Sequence, residues 1–189
     1  MFIEILGLLF GIAYILCMVK EKRAAWPLGL LAVSLYAFSC FQSQLYGEFS
    51  LQIAYAILAI YGWYTWGKNT HNNLNVSKLS NFQYIISIFS GIAMSLFAFY
   101  LLQALDGSLP LLDAITNGFA ITATVLAARK KIENWIFWIP INAMTIYMML
   151  VKGMPFYAIL YFGYMLFAIL GYFQWKKSLL IKSMTATNS

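Results

Sequence analysis

Charged side chains are scarce in this 189-residue chain, and their scarcity argues against a soluble globular domain. They make up 10% of the residues, whereas a soluble globular domain carries about a quarter. Hydrophobic residues make up 62%, and the mean hydropathy is +0.76. We therefore predict that the chain lies in a bilayer. Its net charge of +6 does not indicate nucleic acid as a partner, because the basic residues flank apolar segments.

Cysteine and histidine are nearly absent. Cys17 and Cys40 both lie inside apolar runs, and the single histidine, His71, lies in a polar stretch over 67–80 that is typical of a solvated loop. Two such cysteines and one histidine do not provide the spacing of a disulfide framework or of a metal site. We expect neither a metal ion nor a cofactor.

The chain also lacks groups that would couple transport to an energy source. Glu4 and Asp113 lie near the outer ends of their apolar segments, whereas proton- or sodium-coupled carriers usually place an acid at mid-depth. There is no P-loop for ATP, and no paired acids, Ser/His set or Cys/His set that would support a membrane enzyme. The sequence favours a non-enzymatic uniporter, which moves its substrate down its own gradient.

Seven apolar segments are long enough to be transmembrane helices. Lipid leaves the backbone only helices or a closed barrel, and these continuous runs do not alternate as barrel strands do. The first has no basic residue before it and no cleavage pattern after it, so we expect a retained span rather than a signal peptide. The predicted spans are Phe2–Val19, Trp26–Phe41, Phe49–Trp66, Phe82–Gln103, Leu111–Ala128, Trp135–Val151 and Phe156–Trp175.

The basic residues predict the orientation. Eleven of the twelve fall on one side of a seven-span arrangement, and only Lys152 falls on the other. The crowded side is cytoplasmic by the positive-inside rule, so we predict an external N-terminus and a cytoplasmic C-terminus. The eleven are Lys20, Lys22, Arg23, Lys68, Lys78, Arg129, Lys130, Lys131, Lys176, Lys177 and Lys182.

The chain also contains an internal repeat. Shifted by 109 positions without a gap, spans 1–3 fall on spans 5–7 with 11 identities in 66 aligned positions. Trp26 falls on Trp135 and Gly62 on Gly171. Span 4 has no partner and inverts the chain, so both triplets acquire the same orientation. Internal symmetry in a membrane chain is typical of a transporter with its site between the repeats.

We therefore predict an all-α polytopic membrane protein with seven helices arranged as 3+1+3 parallel repeats, the plan of the SWEET sugar carriers. Parallel repeats are related by an axis along the membrane normal. The predicted organisation is a first repeat over 1–68, a loop and linking helix 4 over 69–108, a second repeat over 109–177 and a cytoplasmic tail over 178–189.

A polar and aromatic motif opens span 6. Trp135, Trp138 and Asn142 follow an i, i+3, i+7 spacing, which places them on one helical face. Two indoles and a carboxamide suit a flat heteroaromatic ring that carries amide or amine groups. An interfacial position would also explain Trp135, as it explains Trp26. Asn142 lies near the middle of the span and needs a hydrogen-bond partner, from another helix or from a ligand.

The two repeats differ at this motif. Trp138 falls on Gly29 and Asn142 on Val33. A structural device would tend to recur in both halves, whereas a site for an asymmetric ligand needs only one of them. Further candidates for substrate binding are polar residues within spans, for which hydrogen bonding between helices is the alternative. They are Gln52, Tyr55, Asn117, Tyr161 and Tyr164.

These residues resemble a known family. The motif of Trp135, Trp138 and Asn142, with Trp-Pro-Leu-Gly at 26–29 and Gly-Trp-Tyr-Thr-Trp at 62–66, is similar to the PnuC family of bacterial vitamin transporters over nearly the whole chain. The resemblance implies a seven-helix 3+1+3 plan and facilitated diffusion of nicotinamide riboside across the inner membrane. It further implies trapping by a separate cytosolic kinase, substrate contact by the three motif residues, and a homotrimer.

The substrate has alternatives. Relatives of the family carry thiamine or riboflavin, which are also flat, heteroaromatic and phosphorylated inside the cell. The intact motif favours nicotinamide riboside. A sugar is the more distant alternative, because sugar carriers share the parallel repeat and use tryptophan and asparagine in their sites.

Overall fold

A computed structural model describes residues 2–44, 46–67, 74–103 and 110–187, and these residues form seven helices. The prediction of an all-helical chain is confirmed. Helix α7 continues past the predicted end of span 7 and through most of the predicted tail. The predictions for Lys68 and His71 fall outside the described residues. The helices are α1 (Phe2–Val19), α2 (Ala25–Gln42), α3 (Tyr46–Gly67), α4 (Asn81–Gln103), α5 (Pro110–Ala128), α6 (Glu133–Val151) and α7 (Pro155–Thr187).

Among the described residues, five helices are long and apolar enough to cross a membrane. Helix α1 contributes a shorter apolar stretch, Ile5–Val19, and α3 is not among the five. The seven-span count therefore stays a prediction, whereas a polytopic chain is supported by length and composition. The five stretches are Ala25–Gln42, Asn81–Tyr100, Pro110–Ala128, Glu133–Val151 and Pro155–Ile181.

The chain divides into two compact units, unit 1 over Met1–Leu74 and unit 2 over Asn75–Ser189. In unit 1, α2 packs on both α1 and α3. In unit 2, each of α4, α5 and α6 packs on the helix that follows it. The α4–α5 crossing is close, because a Cβ added to Gly118 would lie 2.4 Å from the backbone nitrogen of Ser95. Small residues at such a crossing let two membrane helices approach at backbone distance.

The start of α4 is tied to the loop between α5 and α6. Ser80 and Gln83 form a capping box, in which each backbone N–H donates to the side chain of the other, at 3.1 and 3.3 Å. Just before it, the Ser77 N–H donates to the Lys130 carbonyl at 3.1 Å, and the Ile132 N–H donates to the Ser77 carbonyl at 3.0 Å. Three helix ends of unit 2 are thereby held together.

Helices α1 and α5 end with the same turn. Glu21 has a φ of 54° and Lys130 a φ of 49°, both in the left-handed region. The next amide, of Lys22 or Lys131, donates to the carbonyl five residues back at 2.9 Å in each case. This pattern is a Schellman motif, which satisfies carbonyls at a helix C-terminus. The equivalent residues of the two turns are 109 positions apart.

Candidate functional site

Helix α6 carries the predicted motif in its first half. Asn142 is 4% exposed, and its amide nitrogen donates to the Trp138 carbonyl at 2.8 Å. Within the described residues, its carboxamide oxygen accepts no hydrogen bond. Pro140 lies between these two residues and lacks the N–H that would bond the Ile136 carbonyl. Pro140 therefore interrupts the backbone hydrogen bonding of α6 within the sequence of the motif.

Trp135 belongs to the packing between α6 and α7. It is 1% exposed, and its ring meets Trp175 edge-on with the centroids 5.4 Å apart and an interplanar angle of 87°. A Cβ added to Gly171 would lie 2.6 Å from the Trp135 ring, so only glycine allows this approach. The indole N–H has no hydrogen-bond partner among the described residues. Its contact with substrate stays a prediction.

Unit 1 contains the same arrangement. Trp26 is 1% exposed and meets Trp66 edge-on, at 5.5 Å and 85°. A Cβ added to Gly62 would lie 2.3 Å from the Trp26 ring. Because both units use this cluster of two tryptophans and a glycine, its physical role is helix packing. Trp138 and Asn142 have no counterpart in unit 1.

The other predicted site residues lie on three helices. Asn117 is half-buried on α5, the helix that packs on α6. Tyr161 and Tyr164 are half-buried on α7, with their rings edge-on at 5.8 Å. Gln52 is buried and Tyr55 half-buried, both on α3 of unit 1. Six of the eight predicted residues thus belong to unit 2 and two to unit 1.

Two buried polar residues of α6 were missed by the sequence analysis. Thr145 follows Asn142 by three positions on the same face, and its hydroxyl donates to the carbonyl four residues back at 2.9 Å. Asn134 is fully buried; its amide donates to the Lys131 carbonyl at 2.7 Å, and its oxygen has no partner among the described residues. The repeat alignment carries a signal for Asn134, because it falls on Ala25. The same exchange of polar for apolar singles out Asn142.

Charged residues are few on the two helices α5 and α6. Glu133, at the start of α6, is the only charged residue of that helix, and Asp113 is the only one of α5. Lys152 pairs with Asp113 at 3.2 Å, beyond the other end of α6. The described residues contain no group of three or more histidines, cysteines or acids that could hold a metal ion. Such a face can stack and hydrogen-bond a flat ring.

Comparison with known proteins gives the class of protein. A model of the nicotinamide mononucleotide transporter family matches residues 1–177. The chain belongs to this family. Membership in the nicotinamide mononucleotide transporter family, together with the apolar helices, makes the chain a multi-pass transporter of the bacterial inner membrane.

Individual members of the family are similar along most of the chain. The nicotinamide riboside transporter PnuC of Escherichia coli (strain K12) is 27% identical over 179 residues, which cover 80% of this chain and 75% of that protein. The protein of the same name from Neisseria mucosa is 28% identical over 181 residues, covering 86% and 68%.

The fold is also similar to a solved member. A crystal structure of the vitamin B3 transporter PnuC is 26% identical, with a TM-score of 0.76, and the match covers 93% of this chain and 81% of that one. The resemblance to the PnuC family is therefore confirmed by sequence and by fold.

Proposed function

We propose that the chain is a uniporter for nicotinamide riboside. The observation that carries the proposal is the neutral face of α6 on which Trp138 and Asn142 lie, in a chain whose relatives are named for this substrate. The half-buried indole offers a stacking surface for the pyridinium ring, and the cationic ring favours an aromatic wall. The Asn142 oxygen offers an acceptor for the substrate's carboxamide N–H.

The charge of the site favours the riboside over the mononucleotide. A phosphate monoester carries about −1.5 to −2 charges at neutral pH, and moving it out of water without a cation is costly. Helices α5 and α6 contain no lysine or arginine. Asn142 and Trp138 therefore suit a nucleoside better than its phosphate. Thiamine and riboflavin are the alternatives within the same site, and a sugar is the more distant one.

Net uptake needs no coupled ion in this mechanism. Helices α5 and α6 carry no acid at mid-depth, where an ion-coupled carrier usually needs one. The riboside diffuses down its own gradient, and a separate cytosolic kinase traps it by adding a phosphate. The rate of net uptake then depends on the activity of the kinase, because phosphorylation keeps the internal concentration of the riboside low.

We infer a 3+1+3 arrangement, in which α1–α3 and α5–α7 are parallel repeats and α4 inverts the chain. The matched turns after α1 and α5 support this arrangement, as do the matched tryptophan clusters. The distribution of basic residues supports an external N-terminus and a cytoplasmic C-terminus. The family resemblance further implies a homotrimer, which light scattering of the purified protein measures.

The test is uptake of labelled nicotinamide riboside by cells that express Asn142→Ala. We expect the initial rate to fall at least about fivefold, because leaving a polar substrate group unpaired costs about 1–3 kcal/mol. Val33→Ala, at the equivalent position of unit 1, is the control and should transport normally. Wild-type uptake by Asn142→Ala, at equal protein level, would exclude the site. Thermal shifts with the riboside, mononucleotide, thiamine, riboflavin and glucose decide the substrate.

A further inference from the structure

A second surface of α6 borders an apolar cleft. The cleft lies between α4, α5 and α6 and has a volume of about 270 Å³. Its lining has no charged or amide side chain, and the Tyr84 hydroxyl is its most polar group. Drug-sized ligands occupy pockets of roughly 300–1,000 Å³, so the cleft is at the lower limit of that range. The walls include Tyr84, Ile88, Phe119, Ile136, Pro140 and Met144.

The cleft is separate from the proposed substrate site. Ile136, Pro140 and Met144 follow one another at four-residue spacing and line the cleft, whereas Trp138 and Asn142 lie between them in sequence. At roughly 100° per residue, the centres of the two faces are roughly 180° apart around α6. A molecule in the cleft therefore contacts the side of α6 that the motif does not use.

The walls of the cleft are held by aromatic packing. Phe119 and Phe137 stack at 6.0 Å with an interplanar angle of 26°, and Tyr84 meets Phe137 at 6.0 Å. A Cβ added to Gly91 would lie 2.5 Å from the Phe119 ring, so the ring can pack there only because Gly91 has no side chain. Tyr84 and Ile136 are each 41% exposed at the mouth. The cleft is thus open to the surface, and the aromatic side chains of its walls pack against one another.

Basic residues surround the end of the cleft where α4 and α6 begin. Lys78 precedes α4, and Arg129, Lys130 and Lys131 connect α5 to α6. The Lys131 ammonium donates to the Lys78 carbonyl at 3.2 Å, which brings the two segments together. These segments and the start of α6 carry four cations and one acid, Glu133, so an anion is favoured. In a membrane protein, an apolar cleft that ends in basic side chains fits an anionic lipid.

We propose that this cleft binds one acyl chain of an anionic phospholipid, with the headgroup phosphate at Lys78 and Lys131. The surrounding bilayer supplies the lipid. A single flexible chain of methylenes fits a narrow apolar space, and burying it provides the affinity. The basic residues provide the preference for a negative headgroup. This site is independent of the substrate that the protein carries.

The test measures lipid bound to the full-length protein by native mass spectrometry in detergent. The probes are phosphatidylglycerol and phosphatidylcholine with identical acyl chains. We expect wild type to prefer phosphatidylglycerol at least about thirty-fold. The double variant Lys78→Gln/Lys131→Gln should bind it about thirty-fold more weakly, since each lysine near a membrane surface contributes roughly 1 kcal/mol. Phosphatidylcholine, whose choline cation offsets its phosphate, should lose much less affinity.

Two further variants sharpen the outcome. Lys20→Gln/Lys22→Gln removes the same charge from unit 1 and should bind both lipids as wild type does. Ile136→Trp fills the mouth of the cleft and should weaken both lipids, with unchanged riboside uptake as evidence of folding. Equal binding of the two lipids by wild type would overturn the proposal. So would an equal loss in the unit 1 control, or an Ile136→Trp protein that keeps its lipid but changes its subunit number.

Discussion

In unit 1 the connection from α2 to α3 turns at Gln44, with a φ of 59°, and in unit 2 the connection from α6 to α7 turns at Gly153, with a φ of 70°. Glu21 and Lys130 form a second such pair. Within the described residues, every left-handed residue thus has a partner 109 positions away. The two units share a backbone path even where one has glutamine and the other glycine, because the helix ends need the same hydrogen bonds.

The equivalent helix pairs of the two units, α1 and α2 in unit 1 and α5 and α6 in unit 2, carry their large aromatic ring on different helices. In unit 1, a Cβ added to Gly29 would lie 2.8 Å from the Tyr14 ring, so the tyrosine of α1 occupies the space beside α2. The equivalent residues of unit 2 are Ala123 and Trp138. The large aromatic residue is thus on α1, the first helix of its pair, in unit 1 and on α6, the second helix of its pair, in unit 2. A shared backbone therefore places an indole beside Asn142 in one unit only.

The largest effect is expected where this exchange is broken. Gly29→Trp puts an indole against Tyr14, and overpacking of this kind typically costs about 1–3 kcal/mol. We expect a loss of stability near the upper end of this range, with a clearly lowered melting temperature in detergent. The double variant Gly29→Trp/Tyr14→Ala copies unit 2 and should recover most of the loss, since residues in contact do not behave additively. If the double variant is no more stable than Gly29→Trp alone, contact with Tyr14 does not explain the loss of stability.

A smaller effect is expected at the shared tryptophan clusters. Gly62→Ala and Gly171→Ala each force a methyl group into a tryptophan ring, and we expect each to destabilise by about 2 kcal/mol. The control is Gly163→Ala on α7, where no described atom outside the adjoining turns of α7 lies within 4 Å of the added Cβ. It should be neutral or gain up to about 1 kcal/mol from helix propensity. If only one of the two clusters responds in thermal unfolding, the clusters are not equivalent.

The smallest effect is expected at the matched turns. Gln44→Gly removes the cost of a left-handed side chain and should stabilise by roughly 0.5–1 kcal/mol, because glycine is the preferred residue in this conformation. Gly153→Gln should lose a similar amount. Melting temperatures of the two variants and of wild type, measured in the same detergent, test the pair. If both variants shift the melting temperature in the same direction, the two turns do not share a preference for glycine.

Much of the helical pattern could be predicted from the sequence, because continuous apolar runs of this length form helices in lipid. The start of α6 was within two residues of the prediction. The end of α7 was not, since lysines and serines after Trp175 lower the hydropathy without stopping a helix. A hydropathy pattern marks where a chain enters the bilayer, and helix propensity decides where a helix ends.

The site was predictable to a lesser degree. The spacing of Trp135, Trp138 and Asn142 placed all three on one face, but it does not distinguish a packing residue from a binding residue. That distinction depends on what lies opposite, and Trp175 and Gly171 lie opposite Trp135. Those partners are about 40 residues away in sequence, so no local pattern contains them.

The sequence by itself determined the class of the protein, its helices and the internal repeat, because each depends on composition and local order along the chain. The tertiary structure decided which side chains of α6 pack and which have unsatisfied groups. It also decided that α6 has a second, apolar face beside α4 and α5. The physical reason is that burial depends on contacts between helices, and these bring together residues that are distant in sequence.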